Sequence, residues 1–312
     1  MAKTSLANAL AASYNWNMQP LILNLDFAEG TDRLVATGGA WAKALKAPVH
    51  LVHILTPPTP AVDPGVYGIT PVDFVETLRH SAEQRLQEYA RRLPEALPEI
   101  RLEVLLGHPV DTFLEYLHRH QGIAGFVCRH ANALTRFLWG NLAVKVARKA
   151  PEPALLLPEH DPQTPPLPQK LLVPVDFSPA SRRALEAAWH LARAFEARQI
   201  DLLHVLLDAP PPGVPPEMLK TLEAYQAEAQ QRADALLSEW VEETRRTTGA
   251  ESQALLLEGL PTEIIPKTAR DGGYHLLVMA RRGQSPAERV LLGSVVERVI
   301  ETLPIPLYLT AR

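Results

Sequence analysis

The chain has 312 residues, 46% hydrophobic and 21% charged, with a formal net charge of −4 and one cysteine, Cys128. That length accommodates two domains of ordinary size, and the composition is that of a globular protein. It gives no basis for a basic nucleic-acid-binding surface, rules out an intramolecular disulfide, fits a reducing cytoplasm, and contains no run near the ~18 consecutive apolar residues of a membrane span.

Residues 1–19 carry Lys3, and Asn8, Ser13, Asn15 and Asn17 interrupt any apolar run. This reads as an N-terminal extension and not as a secretory signal. The first apolar run, LILNLDF at 21–27, contains Asp26 near its end. His50 and His53 flank a second strand, where alternation places them on opposite faces, so they form no ligand pair. Prolines cluster at Pro57–Pro64, LLGHP ends at Pro109, FLWGN ends at Asn141, and PEPALLL occupies 151–157. Cys128 and His130 lack a second pair and make no zinc site. The segment PEHDPQTPPLP, 158–168, is too proline-rich for a helix or a central strand and serves as a linker.

Beyond the linker, Lys170–Val175 is a strand. Ser178 caps a helix with Pro179 at its first position, where the missing N–H costs nothing. Ala184, Leu185, Ala188, Leu191, Ala192 and Phe195 follow at helical spacing. Ile200–Leu207 is a strand that includes His204, and a long helix runs from about Glu217 to Thr247. Ser252–Leu257, a helix after Pro261, His275–Ala280, a helix from Gly293, and Pro306–Leu309 complete the half.

The halves repeat one another. Asp26 and Asp176 are 150 residues apart, Pro109 and Pro261 are 152 apart, and Asn141 and Ser294 are 153 apart. The PEPALLL and PIPLYLT segments, starting at 151 and 304, are also 153 apart. Four landmarks in the same order mark a domain duplication. Alternation of strand and helix argues for an α/β fold with two tandem doubly wound parallel five-stranded sheets, flavodoxin/Rossmann-like, of order 3-2-1-4-5 with right-handed crossovers. The expected division is an extension at 1–19, a first domain at 20–157, the linker at 158–168 and a second domain at 169–312. The short final strands Ala154–Leu157 and Leu307–Thr310 invite edge-to-edge pairing, hence a pseudo-dimer. Ligands on such sheets sit beyond the carboxyl ends of the strands where the order reverses, here between the first and fourth strands.

After the fourth strand of the second half comes MARRGQSPAERVLLGSVVERV, 279–299. Gly283 and Gly293 allow close backbone approach, Ser294 offers a hydroxyl, and Arg281 and Arg282 offer charge at a helix start, which suits a polyphosphate. The same residues also suit a plain strand-to-helix loop with Ser294 as N-cap. Asp176, at the tip of the first strand, can accept from a ribose or base, or satisfy local N–H groups. No P-loop, no G-x-G-x-x-G, no H-E-x-x-H and no G-x-S-x-G is present.

Taken together, PVDFS at 174–178, Ala280-x2-Gly283-x9-Gly293-Ser294 and the PIPLYL ending resemble the universal stress protein family, over essentially the whole chain from about residue 20. The family's nucleotide-binding members carry G-x2-G-x9-G-[ST], so Ala280 is a departure. The resemblance implies that Pro174, Asp176 and Val205 line an adenosine pocket and that Met279 and Ala280 lie under the ribose and phosphates. It implies that Arg282, Gly283, Gly293, Ser294 and Val295 hold the phosphates. In the first half the matching stretch is Val127-x2-His130-x9-Gly140-Asn141, with bulky Phe137 and Trp139, and Asn24 stands in place of Pro174. That half reads as a non-binding pairing partner.

The expected function is that of a cytoplasmic stress-response regulator binding ATP or a related adenine nucleotide in the second domain, with Mg as an accompanying ion and no structural metal. It is not expected to be an enzyme, because no general base stands beside the loop except Glu288, a charged loop residue. A ligand-free interaction scaffold and a slow ATPase are the alternatives. The expected partners are the nucleotide, the other half of the chain and a second copy in a homodimer, with neither nucleic acid nor membrane.

Overall fold

In the first half, strands β1 (Leu21–Asn24), β2 (Val49–Leu55), β3 (Ile100–Leu106), β4 (Ile123–Cys128) and β5 (Ala154–Pro158) alternate with helices. The helices are α1 (Thr31–Leu45), α2 (Pro71–Ala90), α3 (Pro109–His120) and α4 (Leu142–Lys149). The second half supplies β6 (Lys170–Pro174), β7 (Gln199–Leu206), β8 (Ala254–Glu258), β9 (Leu276–Met279) and β10 (Leu307–Leu309). Its helices are α5 (Pro179–Phe195), α6 (Pro216–Thr248), α7 (Pro261–Asp271) and α8 (Ser294–Thr302). This computed structural model describes residues 19–56, 71–128, 142–161, 164–207, 216–281 and 292–311. Among them, no helix is long and apolar enough to cross a membrane.

The chain divides into two compact units, Met1–Val127 and Cys128–Arg312. In the first, the strand order is β3-β2-β1-β4, all parallel. In the second, β8-β7-β6-β9-β10 are parallel, which is the expected order 3-2-1-4-5. The expected pairing of final strands is present inside this second unit. β5, the last strand of the first repeat, runs antiparallel to β10, with Leu156 opposite Leu307, Leu155 opposite Tyr308 and Ala154 opposite Leu309. All six residues are buried, so the pairing removes both backbone edges and apolar side chains from water. The α4–β5 segment of the first repeat thus belongs to the compact unit of the second.

Local chemistry explains the element boundaries. Ser178 accepts the Ser181 N–H at 3.1 Å and Pro179 follows it, so α5 starts as its sequence requires. The G-x-P landmarks have a backbone origin. Gly107 and Gly259 sit at φ of +153° and +134° just past the third strand of each repeat. Each donates to the end of its neighbouring strand, to Leu55 O at 3.0 Å and to Leu206 O at 2.9 Å, before a proline opens the next helix. A side chain there would be strained at this φ.

Candidate functional site

In both repeats the first strand ends in a turn of the same construction. Phe27 and Phe177 have φ of +59° and +60°, a left-handed conformation that costs a residue with a Cβ about 1–2 kcal/mol. A histidine of the neighbouring strand supports each. His53 Nδ1 bonds Leu25 O and His204 Nδ1 bonds Val175 O, both at 2.7 Å. The Phe27 ring stacks on His53 at 4.2 Å, and the Phe177 ring lies tilted against His204 at 4.7 Å. Trp240 of α6 closes the second cluster edge-on at 5.4 Å from Phe177, and Tyr89 lies 6.1 Å from Phe27. Burial lowers the His53 pKa, against the bond to the Leu25 carbonyl, which raises it.

This turn presents the aspartate. Asp176 is half-buried, and its Oδ1 accepts the Ser178 N–H at 3.1 Å. Asp26 is exposed, and its Oδ1 accepts from Ala28 N–H at 3.2 Å and Thr31 Oγ1 at 3.3 Å. Pro174 and Leu203 are register partners in β6 and β7, so Val205, two residues on, lies level with Asp176. β6 also pairs with β9 through Leu171–Leu276 and Leu172–Leu277; Pro174 and Met279 each follow two residues later. The strand order reverses at this pair, since β7 and β8 lie on one side and β10 on the other. Pro174, Asp176, Val205, Met279 and Ala280 thus stand at the carboxyl ends of three adjacent strands.

The helix-start residues join them through the backbone. The Gly293 N–H donates to Arg281 O at 2.9 Å, which ties the end of β9 to the start of α8. Gly293 is the N-cap at φ −74°, ψ 149°, and the first intrahelical bond runs from Glu297 N–H to Gly293 O at 2.9 Å. The N–H groups of Ser294, Val295 and Val296 precede that bond, at the positive end of the helix. Ser294 is exposed at the first helical position, so the expectation of a serine N-cap is corrected: glycine holds that place and no side chain caps the helix.

Arg281 is also corrected. Sequence reading offers it as a phosphate counter-charge, but its side chain is 2% exposed and turns inward. Nε donates to Thr310 O at 3.0 Å, Nη1 to Ala147 O and Nη2 to Glu152 O. A guanidinium buried this deeply requires such acceptors. Arg282, Gly283 and Glu288, and in the first half His130, Phe137, Trp139, Gly140 and Asn141, lie outside the described residues.

His50 belongs elsewhere. Near the amino end of β2 it is buried, 3.1 Å from the Tyr116 hydroxyl, with the His120 ring 5.0 Å away. Burial, and then the neighbouring His120 and Arg101, lower its pKa to about 4. The corresponding place in the second repeat holds Asp201, which accepts from Tyr274 Oη at 2.7 Å, Gln199 Nε2 at 2.7 Å and Gln253 N–H at 3.0 Å. Among the described residues no group of three or more His, Cys, Asp or Glu is placed to hold a metal.

Sequence reasoning missed Phe177, His204 and Trp240 as supports of the turn that carries Asp176. The signal was available, since Phe27/Phe177, His53/His204 and Tyr89/Trp240 recur at offsets of 150, 151 and 151.

The model of the universal stress protein family matches residues 18–158 and again 168–310. A universal stress protein of Methanocaldococcus jannaschii is 30% identical over 143 residues, 44% of this chain and 79% of the relative. The universal stress protein YxiE of Bacillus subtilis is 29% identical over 143 residues, 44% of this chain and 95% of the relative. Each therefore corresponds in length to one repeat. The crystal structure of a universal stress protein from Archaeoglobus fulgidus covers 95% of this chain, and this chain covers 97% of it, with a TM-score of 0.67 and 19% identity, a likeness of fold. With both repeats matched in tandem, the chain belongs to the universal stress protein family.

Proposed function

We propose that this protein is a regulator that binds one adenine nucleotide per chain, in the second repeat. One observation carries the reading. The second repeat combines an aspartate at the tip of its first strand with a glycine-led helix start tied to the end of its fourth. Pro174, Asp176 and Val205 would face the adenosine. Met279 and Ala280 would underlie the ribose, and the Ser294 hydroxyl with the N–H groups of Ser294 and Val295 would meet phosphate, joined by Arg282 and Gly283. Gly293 suits this role sterically: no Cβ stands between its backbone and an approaching phosphate.

We divide the chain at 20–157, 158–168 and 169–312, with the first domain as pairing partner, and place the protein in the cytoplasm as a stress-response factor. Titration calorimetry of the full chain with ATP should give a stoichiometry near one. Asp176→Ala combined with Gly293→Val should abolish binding, and Asp26→Ala should leave it unchanged. Gly293 lies at a φ that valine tolerates, so the fold should survive that substitution. A stoichiometry of two, or sensitivity to Asp26, overturns the assignment.

The inward turn of Arg281 favours a second reading, a ligand-free interaction scaffold, because it withdraws one expected counter-charge. Absence of both ATP binding and co-purified nucleotide, by mass spectrometry of the denatured protein, would select it.

A further inference from the structure

We propose that the candidate nucleotide site of the second repeat is completed by a piece of the first, the α4–β5 turn, with Arg281 as the positioning residue that couples them. This rests on the reading of that cleft as a nucleotide site.

Arg281 acts at both ends of its residue. Its backbone carbonyl accepts the Gly293 N–H and so fixes the N-cap of α8 against the end of β9. Its guanidinium reaches two carbonyls of the first repeat, those of Ala147 and Glu152, and a third at Thr310 beyond β10. Ala147 lies in the last turn of α4, where carbonyls have no intrahelical partner and the helix presents its negative end. A buried cation is therefore matched to acceptors that need a donor. Glu152 stands between Pro151 and Pro153, which restrict the backbone of this turn. Thr310 completes the frame, since its N–H donates to Met279 O at 3.1 Å.

A second tie runs in parallel. Arg148, next to Ala147, pairs with Glu297 in the first turn of α8 at 2.8 Å. The last turn of α4 thus holds the phosphate-side helix directly through Arg148 and indirectly through Arg281. The first repeat offers no copy of this arrangement at the matching position: Cys128 stands where Arg281 does and, although also buried, cannot span to three carbonyls. Anything that moves the start of α8, including a phosphate drawn to it, moves groups bonded to the α4–β5 turn, and the dependence is reciprocal.

The test is hydrogen exchange with mass spectrometry on the full chain, first without nucleotide. Arg281→Met keeps the bulk and removes the donors. It should speed exchange about tenfold in peptides spanning 146–153 and 292–297, with little change in the β1–β3 strands. Arg148→Ala, at a half-exposed position that tolerates substitution, should give a smaller rise of about twofold in the same two peptides. If neither variant links the two segments, the coupling is refuted.

The second arm adds ATP. In the wild type, protection should extend from 292–297 to 146–153. In Arg281→Met the second segment should no longer respond, and the ATP Kd should rise at least tenfold with the melt still cooperative. Protection confined to 292–297 in the wild type overturns the inference even if ATP binds. If the wild type shows no calorimetric ATP binding, the nucleotide reading fails, and the nucleotide-free arm alone decides whether Arg281 joins the segments.

Discussion

Replacing Phe177 separates backbone strain from side-chain packing. At φ +60° the residue sits where a Cβ costs about 1–2 kcal/mol, and glycine bears no such cost. Glycine does lose more chain entropy on folding, by about 0.5–1 kcal/mol relative to alanine. Phe177→Ala and Phe177→Gly both remove the ring that packs on His204 and Trp240, a loss of roughly 2 kcal/mol for a half-buried aromatic. That loss cancels in the comparison. Phe177→Gly should therefore be more stable than Phe177→Ala by about 0.5–1 kcal/mol, the reverse of the order found in ordinary helix or strand positions. Urea denaturation monitored by Trp fluorescence reads the difference. Phe27, at φ +59°, provides an internal replicate and should behave the same way. If alanine equals or exceeds glycine at both sites, the left-handed turn is not what these residues support.

Other contacts make separate predictions. Arg182 holds Glu243 through two 2.6 Å bonds and lies over Trp189 and Trp240, with both charged side chains under 30% exposed, so Arg182→Ala should cost about 2–3 kcal/mol. The matching pair in the first repeat is reversed in sign, Asp32 with Arg92, and is 76% and 58% exposed; Arg92→Ala should cost under about 1 kcal/mol by the same melts. His50 has a folded pKa of about 4 against 6.5 ordinarily, so the unfolded chain binds the proton more tightly between those values. Its contribution is present above pH 6.5, falls as the pH drops from 6.5 towards 4, and is lost below that, about 3 kcal/mol at 1.36 kcal/mol per unit. His50→Gln should reduce the slope of stability against pH in that window by about one proton, and an unchanged slope would assign it to other histidines.

The fold was legible because its signals are local. Ser178 and Pro179 mark the start of α5 by capping chemistry, and Gly259 with Pro261 marks the turn into α7 by the φ one needs and the other fixes. The Pro-x-Pro before each final strand flagged a short strand, and β5 and β10 do pair. The site was legible only in outline, since its decisive contacts are distant in sequence. Nothing near Arg281 announces that its acceptors are Ala147 and Glu152, 134 and 129 residues earlier. An arginine beside a glycine loop reads as a phosphate counter-charge, and the buried alternative emerges only when a helix end lies within reach. The repeat marks His204 as the counterpart of His53, but its bonding partner was hidden. Alternation gives the face it occupies but not the carbonyl it serves, because that depends on a left-handed Phe177 that no propensity anticipates.

The duplication also shows which residues can report on binding. The Asp-Phe-His turn is present in both repeats, with nearly identical φ and identical 2.7 Å bonds. A strained turn requires its supports in order to fold, with or without a ligand. Its presence therefore explains where Asp26 and Asp176 stand and says nothing about what either binds. Gly293 is different. At φ −74° the backbone accepts any residue, and N-cap stability is better served by serine, threonine, aspartate or asparagine than left without a side-chain acceptor, as here. Its N–H is already bonded to Arg281, so a direct N–H contact from Gly293 to phosphate is not the reason for glycine either. What remains is the space left by the missing Cβ beside the N–H groups of Ser294 and Val295. Gly293→Ser therefore discriminates: it should raise Tm slightly by capping α8 and weaken ATP binding. A rise in Tm with unchanged Kd would mean that this space serves no ligand.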